Sequence, residues 1–187
     1  MNARENPFAT HHLHRVPYVF DQLNWDSLLR RLEALQYRAA IVGPHGSGKT
    51  TLLEQLGDRL ESRGFDVHWH KRHDTGPRLR PDDLEPLRGL RQTDALLLDS
   101  AELLSAWQWR RFRRAAANAG AMVITAHRFG RLPTLLECCT SPGLLHHVVH
   151  AVAPGSLSPA GSRQLFAKHG GNIRDALRDL YDQHASR

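Results

Sequence analysis

Lysine is scarce in this chain: of its 25 basic residues only Lys49, Lys71 and Lys168 are lysines. The formal charge of +6 is therefore an arginine charge. It is compatible with an acidic partner such as nucleic acid, but arginine bias also follows genome composition, so charge alone selects no function. Cysteine is scarce too, with only the neighbours Cys138 and Cys139. Adjacent cysteines rarely reach disulfide geometry and one pair builds no framework, which excludes a disulfide-stapled scaffold and fits a reducing compartment. No run of about 18 apolar residues occurs, so no membrane-spanning helix is expected. The opening "MNARENPFATHHLHR" lacks the apolar core of a secretory signal, and a cytoplasmic location is expected. There is no Asn-Lys-x-Asp segment of the kind that reads guanine.

What is present suits one soluble domain of ordinary size with a small appendage: 187 residues, 41% hydrophobic and 24% charged. Residues 1–24 mix His, Pro and aromatics without periodicity and read as an arm. Asn24 can cap a helix through Leu35, with Trp25, Leu28, Leu29, Leu32 and Leu35 at helical spacing. "RAAIVG" reads as a buried strand, "KTTLLEQLGDRLESRG" as an amphipathic helix stopped at Gly64, and "FDVHWH" as a second strand. A proline-bearing loop from Lys71 to Thr93 holds at most a short helix at "DDLEPLRGL". "ALLLD" is a third strand, residues 100–120 a helix, and "AMVITAH" a fourth strand. The pattern continues with a helix around "LPTLLECC", a fifth strand at "HHVVHAV", and helices from Ser158 and Asn172. Alternating strands and helices predict an α/β three-layer domain with a parallel sheet, over 25–153, and a small C-terminal helical lid over 154–187.

Gly43-Pro44-His45-Gly46-Ser47-Gly48-Lys49-Thr50 fits G-x-x-x-x-G-K-[ST] in full, between an apolar strand and an amphipathic helix. Glycines let consecutive backbone N–H groups turn toward phosphate oxygens, and the following helix sets its positive end beneath them. Lys49 can reach the β- and γ-phosphates and the Thr50 hydroxyl can coordinate Mg²⁺, while Thr51 is the next helical residue of this nucleotide-binding set. On these residues the chain resembles P-loop NTPases, and more narrowly those related to AAA-type ATPases.

The resemblance extends to three further places. "ALLLD" is similar to the Walker B element, which implies that Asp99 holds Mg²⁺ with Thr50. AAA-type ATPases mostly carry a glutamate immediately after that aspartate; here Ser100 stands there, and serine is no base at neutral pH without an activator. Glu102 either serves the attacking water or simply favours the positive end of its own helix, with Ser100 as a cap. Thr125 and His127, at the end of "VITAH", correspond to positions that sense the γ-phosphate; the bland reading is a strand threonine and one histidine among 13. Gly171-Asn172-Ile173-Arg174 resembles the lid element whose arginine, here Arg174, reaches the γ-phosphate. Independently, Asn172 is a good cap with Asp175 three residues on. A trans-acting arginine is not assignable, Arg128 and Arg131 being candidates by position only.

Phe8, Tyr18 or Phe20 either stack on a base or anchor the arm, the second being the commoner use of such residues. "WQWRRFRRA" sets Arg110, Arg111, Arg113 and Arg114 on a helix, either as a nucleic-acid patch or as an ordinary polar outer face. His146, His147 and His150 lack a partner at metal-ligand spacing. The reading that results is a Mg-ATP-binding switch with slow or partner-stimulated hydrolysis by Lys49, Glu102, Thr125 and Arg174, and with an unidentified protein partner. A small-molecule or nucleotide kinase, or a non-hydrolysing ATP-binding adaptor, remains open beside it.

Overall fold

Unbroken apolar runs make strands that need cover on both faces. β1 (Arg38–Val42), β3 (Asp94–Asp99) and β4 (Ala121–Ala126) are such runs, buried along nearly their whole length. With β2 (Asp66–Lys71) and β5 (Thr134–Glu137) they form one five-stranded sheet in the order β2-β3-β4-β1-β5. Every pairing in it is parallel. The structure is a computed structural model and describes residues 6–21, 23–71 and 82–185. The middle of the expected proline-bearing loop, 72–81, lies outside the described residues.

Helices cover both faces of the sheet. α5 (Ala106–Ala115) sets Trp109 and Phe112 against Leu96, Leu98, Met122 and Ile124, with Leu87 of the short α4 (Glu85–Arg88) in the same cluster. α3 (Lys49–Glu61) brings Gly57 so close to Leu97 and Trp69 that a Cβ there would stand 3.0 Å from each. Leu97 alternates with Leu96 and Leu98, so α3 and α5 cover opposite faces. α2 (Trp25–Ala34) starts where Asn24 Oδ1 accepts a hydrogen bond from Ser27 N, and Arg59 of α3 stacks over its Trp25 at 3.6 Å. The expected three-layer α/β fold is present.

Three expected elements differ. "HHVVHAV" belongs to a helix, α6 (Pro142–Val152). Its valines suggested a strand, but Ser141 Oγ accepts from Leu144 N, Pro142 opens the first turn, and Leu145 and Val149 are buried one turn apart. The fifth strand is instead Thr134–Glu137, inside the stretch expected to be helical; its register against β1 shifts between Ala40 and Ile41. Four residues are too few to display a period of two. The helix expected from Ser100 is also interrupted. A 3-10 turn at Ala101–Leu103 gives way to extended backbone at the buried Leu104, and α5 begins afresh with a capping box between Ser105 and Gln108.

Contacts divide the chain into two units, one of Phe20–Gly43 and Leu52–Glu137, the other of Met1–Val19, Pro44–Thr51 and Cys138–Arg187. The first holds the sheet. The second is helical, with α1 (Thr10–Leu13), α6, α7 (Pro159–Lys168) and α8 (Ile173–Ala185) around Phe8, Leu145, Leu165, Ile173, Leu177 and Leu180. The loop Pro44–Thr51 is part of this helical unit.

Candidate functional site

The loop leaves β1 at Gly43 and enters α3 at Lys49. Gly46 and Gly48 have φ of +71° and +81°, the left-handed region in which a side chain is strained. Ser47 is buried and its hydroxyl donates to Pro44 O at 2.9 Å. Lys49 is only 8% exposed and its Nζ donates to the same carbonyl at 2.7 Å, so its charge is held over the loop rather than in solvent. Thr50 and Thr51 are half-buried at the first turn of α3.

Two parts of the helical unit press on this loop. A Cβ on Gly46 would fall 2.1 Å from Asn172 Oδ1, 2.9 Å from Arg174 N and 3.0 Å from Ile173 N. The amino end of α8 thus lies directly on the loop. Asn172 caps α8, its Oδ1 accepting from Arg174 N at 3.1 Å and its Nδ2 donating to Asp175 Oδ2 at 2.6 Å. The Arg174 side chain is exposed. On another side, the Tyr18 ring would meet a Gly48 Cβ at 3.3 Å, and its hydroxyl donates to Cys138 Sγ at 3.2 Å. Burial, and then Cys138, push the Tyr18 phenol far above its ordinary range. Burial likewise raises the Cys138 thiol, opposed by the Tyr18 hydrogen bond and the Lys49 charge. Phe8 is buried edge-on to His184 in the helical unit, and Phe20 is edge-on to Trp25 in the sheet unit; both aromatics anchor the arm.

The sheet unit carries the acidic residues. Asp99 ends β3 half-buried, and the Thr125 hydroxyl donates to its Oδ1 at 2.6 Å. Thr125 Oγ1 in turn accepts from Ser100 N at 2.8 Å and is 1% exposed. Ser100 has φ +62°, uncommon for a residue with a Cβ, and its side chain caps nothing. The expectation of a Ser100 cap is thereby corrected: the left-handed turn re-aims the chain, and Ser105 caps α5 instead.

Glu102 sits on the 3-10 turn with Oε1 3.2 Å from His127 Nε2, while its buried Oε2 has no hydrogen-bond partner among the described residues. The Arg131 guanidinium donates to Leu104 O and lies over Trp109 at 5.4 Å. Burial lowers its pKa, with Glu102 acting in the opposite sense. Arg128 is exposed.

Of the residues singled out in sequence, Thr125 and Asp99 meet, as do Gly46 and the Asn172–Arg174 turn. Glu102, His127 and Tyr18 were candidates one by one, but the pairing of Glu102 with His127 and the place of Tyr18 and Cys138 beside the loop carried no readable signal. Each joins segments far apart in the chain.

A glycine loop between β1 and α3, in a parallel sheet whose strand β3 ends in an aspartate, defines a P-loop fold. Two solved structures with a similar fold are of AAA+ ATPases. RuvB of Thermotoga maritima, as a point variant, superimposes with a TM-score of 0.55 at 19% identity, over 83% of this chain and 58% of that one. AMPPCP-bound DnaA of Aquifex aeolicus gives 0.56 at 16% identity, over 85% of this chain and 61% of that one. The chain therefore spans about three fifths of each neighbour. No protein-family model and no curated protein matches the sequence. Among the described residues no helix is long and apolar enough to cross a membrane.

Proposed function

We propose that this protein binds Mg-ATP and acts as a nucleotide-driven switch with slow or partner-stimulated hydrolysis. The observation that carries the reading is the loop itself, with two glycines in the left-handed region and a buried Lys49 bent over its backbone. In this reading the loop N–H groups and Lys49 hold the phosphates, and Thr51 continues the first turn of α3. Thr50 and Asp99 offer a hydroxyl and a carboxylate oxygen, hard donors of the kind Mg²⁺ takes. A metal held there would supply charge neutralisation during phosphoryl transfer.

Thr125 acts through Asp99, whose Oδ1 it holds. Glu102 is the group for the attacking water. His127 holds the Glu102 Oε1 at 3.2 Å. Arg174, exposed in the first turn of α8, is the phosphate-sensing arginine. Asn172 against Gly46 makes α8 the element that a bound nucleotide repositions, for a protein partner to read.

A second reading, a non-hydrolysing adaptor, draws on Ser100 at the position after Asp99 and on the pairing of Glu102 with His127. Single-turnover cleavage of Mg-ATP, measured beside Glu102→Gln, separates the two. Cleavage by wild type with a variant that binds and stalls supports the ATPase; binding by both with cleavage by neither leaves the adaptor. Transfer of phosphate to an added acceptor instead of water marks a kinase.

A further inference from the structure

The outer face of α5 carries a feature apart from the phosphate loop. Arg38, Arg110, Arg113 and Arg114, with Trp109 and Leu132, line an open groove of about 740 Å³. Arg38 is fixed there, because its guanidinium donates to Ala117 O at 2.8 Å and Ala119 O at 2.6 Å. The side chains of Arg110, Arg113 and Arg114 are exposed and have no hydrogen-bond or ion-pair partner among the described residues. Residues three and four apart on a helix are neighbours, about 5–6 Å between Cβ atoms, so these three form a row of like charges.

An outer helix face that only needs solvation mixes both signs, with acids placed to pair with bases. Between Ser105 and Gly120 there is no Asp or Glu at all. The helix dipole favours cations in the last turn, which accounts for Arg113 and Arg114. It does not account for Arg110 in mid-helix; Arg38, contributed to the same groove by β1, is held by carbonyls just beyond the end of α5. We propose that this groove binds the phosphodiester backbone of a nucleic acid, the arginines following successive phosphates. Four arginines line the groove, whereas a bilayer is met by an amphipathic face with apolar residues inserted. Arg38 begins β1 and Asp99 ends β3, so in a parallel sheet the groove lies at the opposite end from the acidic residues. Backbone binding there needs no nucleotide in the phosphate loop.

The test is fluorescence anisotropy with short labelled oligonucleotides, single-stranded and duplex, without ATP, across a salt series. Wild type is expected to bind, and Arg110→Gln/Arg113→Gln/Arg114→Gln to bind at least about tenfold more weakly. Its salt slope should fall by about two, from three lost contacts at roughly 0.7 each for a single strand. Arg163→Gln/Arg178→Gln, which removes exposed charge from α7 and α8, should change neither. The single variants at 110, 113 and 114 should each give a smaller loss, and they decide the matter if the triple variant does not fold. No binding by wild type at low salt overturns the proposal. So does an unchanged slope in the groove variants, or an equal loss in the α7/α8 control. Binding to phosphatidylserine vesicles without binding to oligonucleotides overturns it as well.

Discussion

Thr125 joins two functions in one hydroxyl, donating to Asp99 and accepting from the backbone of Ser100. Being buried, it takes a hydrogen bond from each of these groups when it is removed. Thr125→Val should therefore cost about 1–3 kcal/mol, read by urea denaturation. If Asp99 holds the metal, the variant should also raise the Mg²⁺ concentration needed for half-maximal ATP binding. Gly46 is constrained twice, by its φ of +71° and by Asn172 standing where a Cβ would go. Gly46→Ala should destabilise by about 1–3 kcal/mol from the backbone alone. It should weaken ATP binding further, because the loop and the start of α8 must part. A variant that binds ATP as well as wild type and melts at the same temperature would show that Gly46 is not under this constraint.

At the scale of elements, α7 and α8 are tied by Asp179, which accepts from Lys168 Nζ at 2.6 Å and lies 2.8 Å from His169 Nε2. Lys168 first, then Gln183 and His169, hold this carboxyl well below its ordinary value of 3.8. A carboxylate whose pKa is depressed by folding contributes stability above its unfolded pKa and loses it as pH falls through the folded value. Wild type should thus outlast Asp179→Asn in thermal melts above pH 3.8, with the gap closing as the solution becomes strongly acid. A gap that stayed constant down to the acid limit would mean that Asp179 is not coupled to the hairpin. α5 was harder to delimit from sequence. Its start signal, Ser105 with Gln108, is legible once the buried Leu104 has broken the helix, but that break depends on the core.

For the whole molecule, the phosphate loop shares its contacts with the C-terminal helices. A ligand that binds only the folded state stabilises it by mass action, about 2.7 kcal/mol at a hundredfold excess over Kd. Mg-ATP should therefore raise the melting temperature, and Lys49→Ala should abolish the rise relative to its own nucleotide-free melt. An equal rise in both would place the phosphates away from Lys49.

Sequence by itself determined the strand–loop–helix from Arg38 to Glu61, the strand ending at Asp99, and the capped helix at Asn172. Each rests on interactions within a few residues: burial periodicity, glycine conformations and side-chain caps. It left α6 and β5 exchanged, because valine-rich "HHVVHAV" and leucine-rich "TLLE" satisfy either pattern and only their packing decides. It also placed Thr125, Glu102 and Asn172 as isolated residues. Only the tertiary structure brought Thr125 to Asp99, His127 to Glu102, and Asn172 to Gly46. Those contacts link residues 25 or more positions apart, and their geometry is set by sheet order and helix packing rather than by local conformational preference.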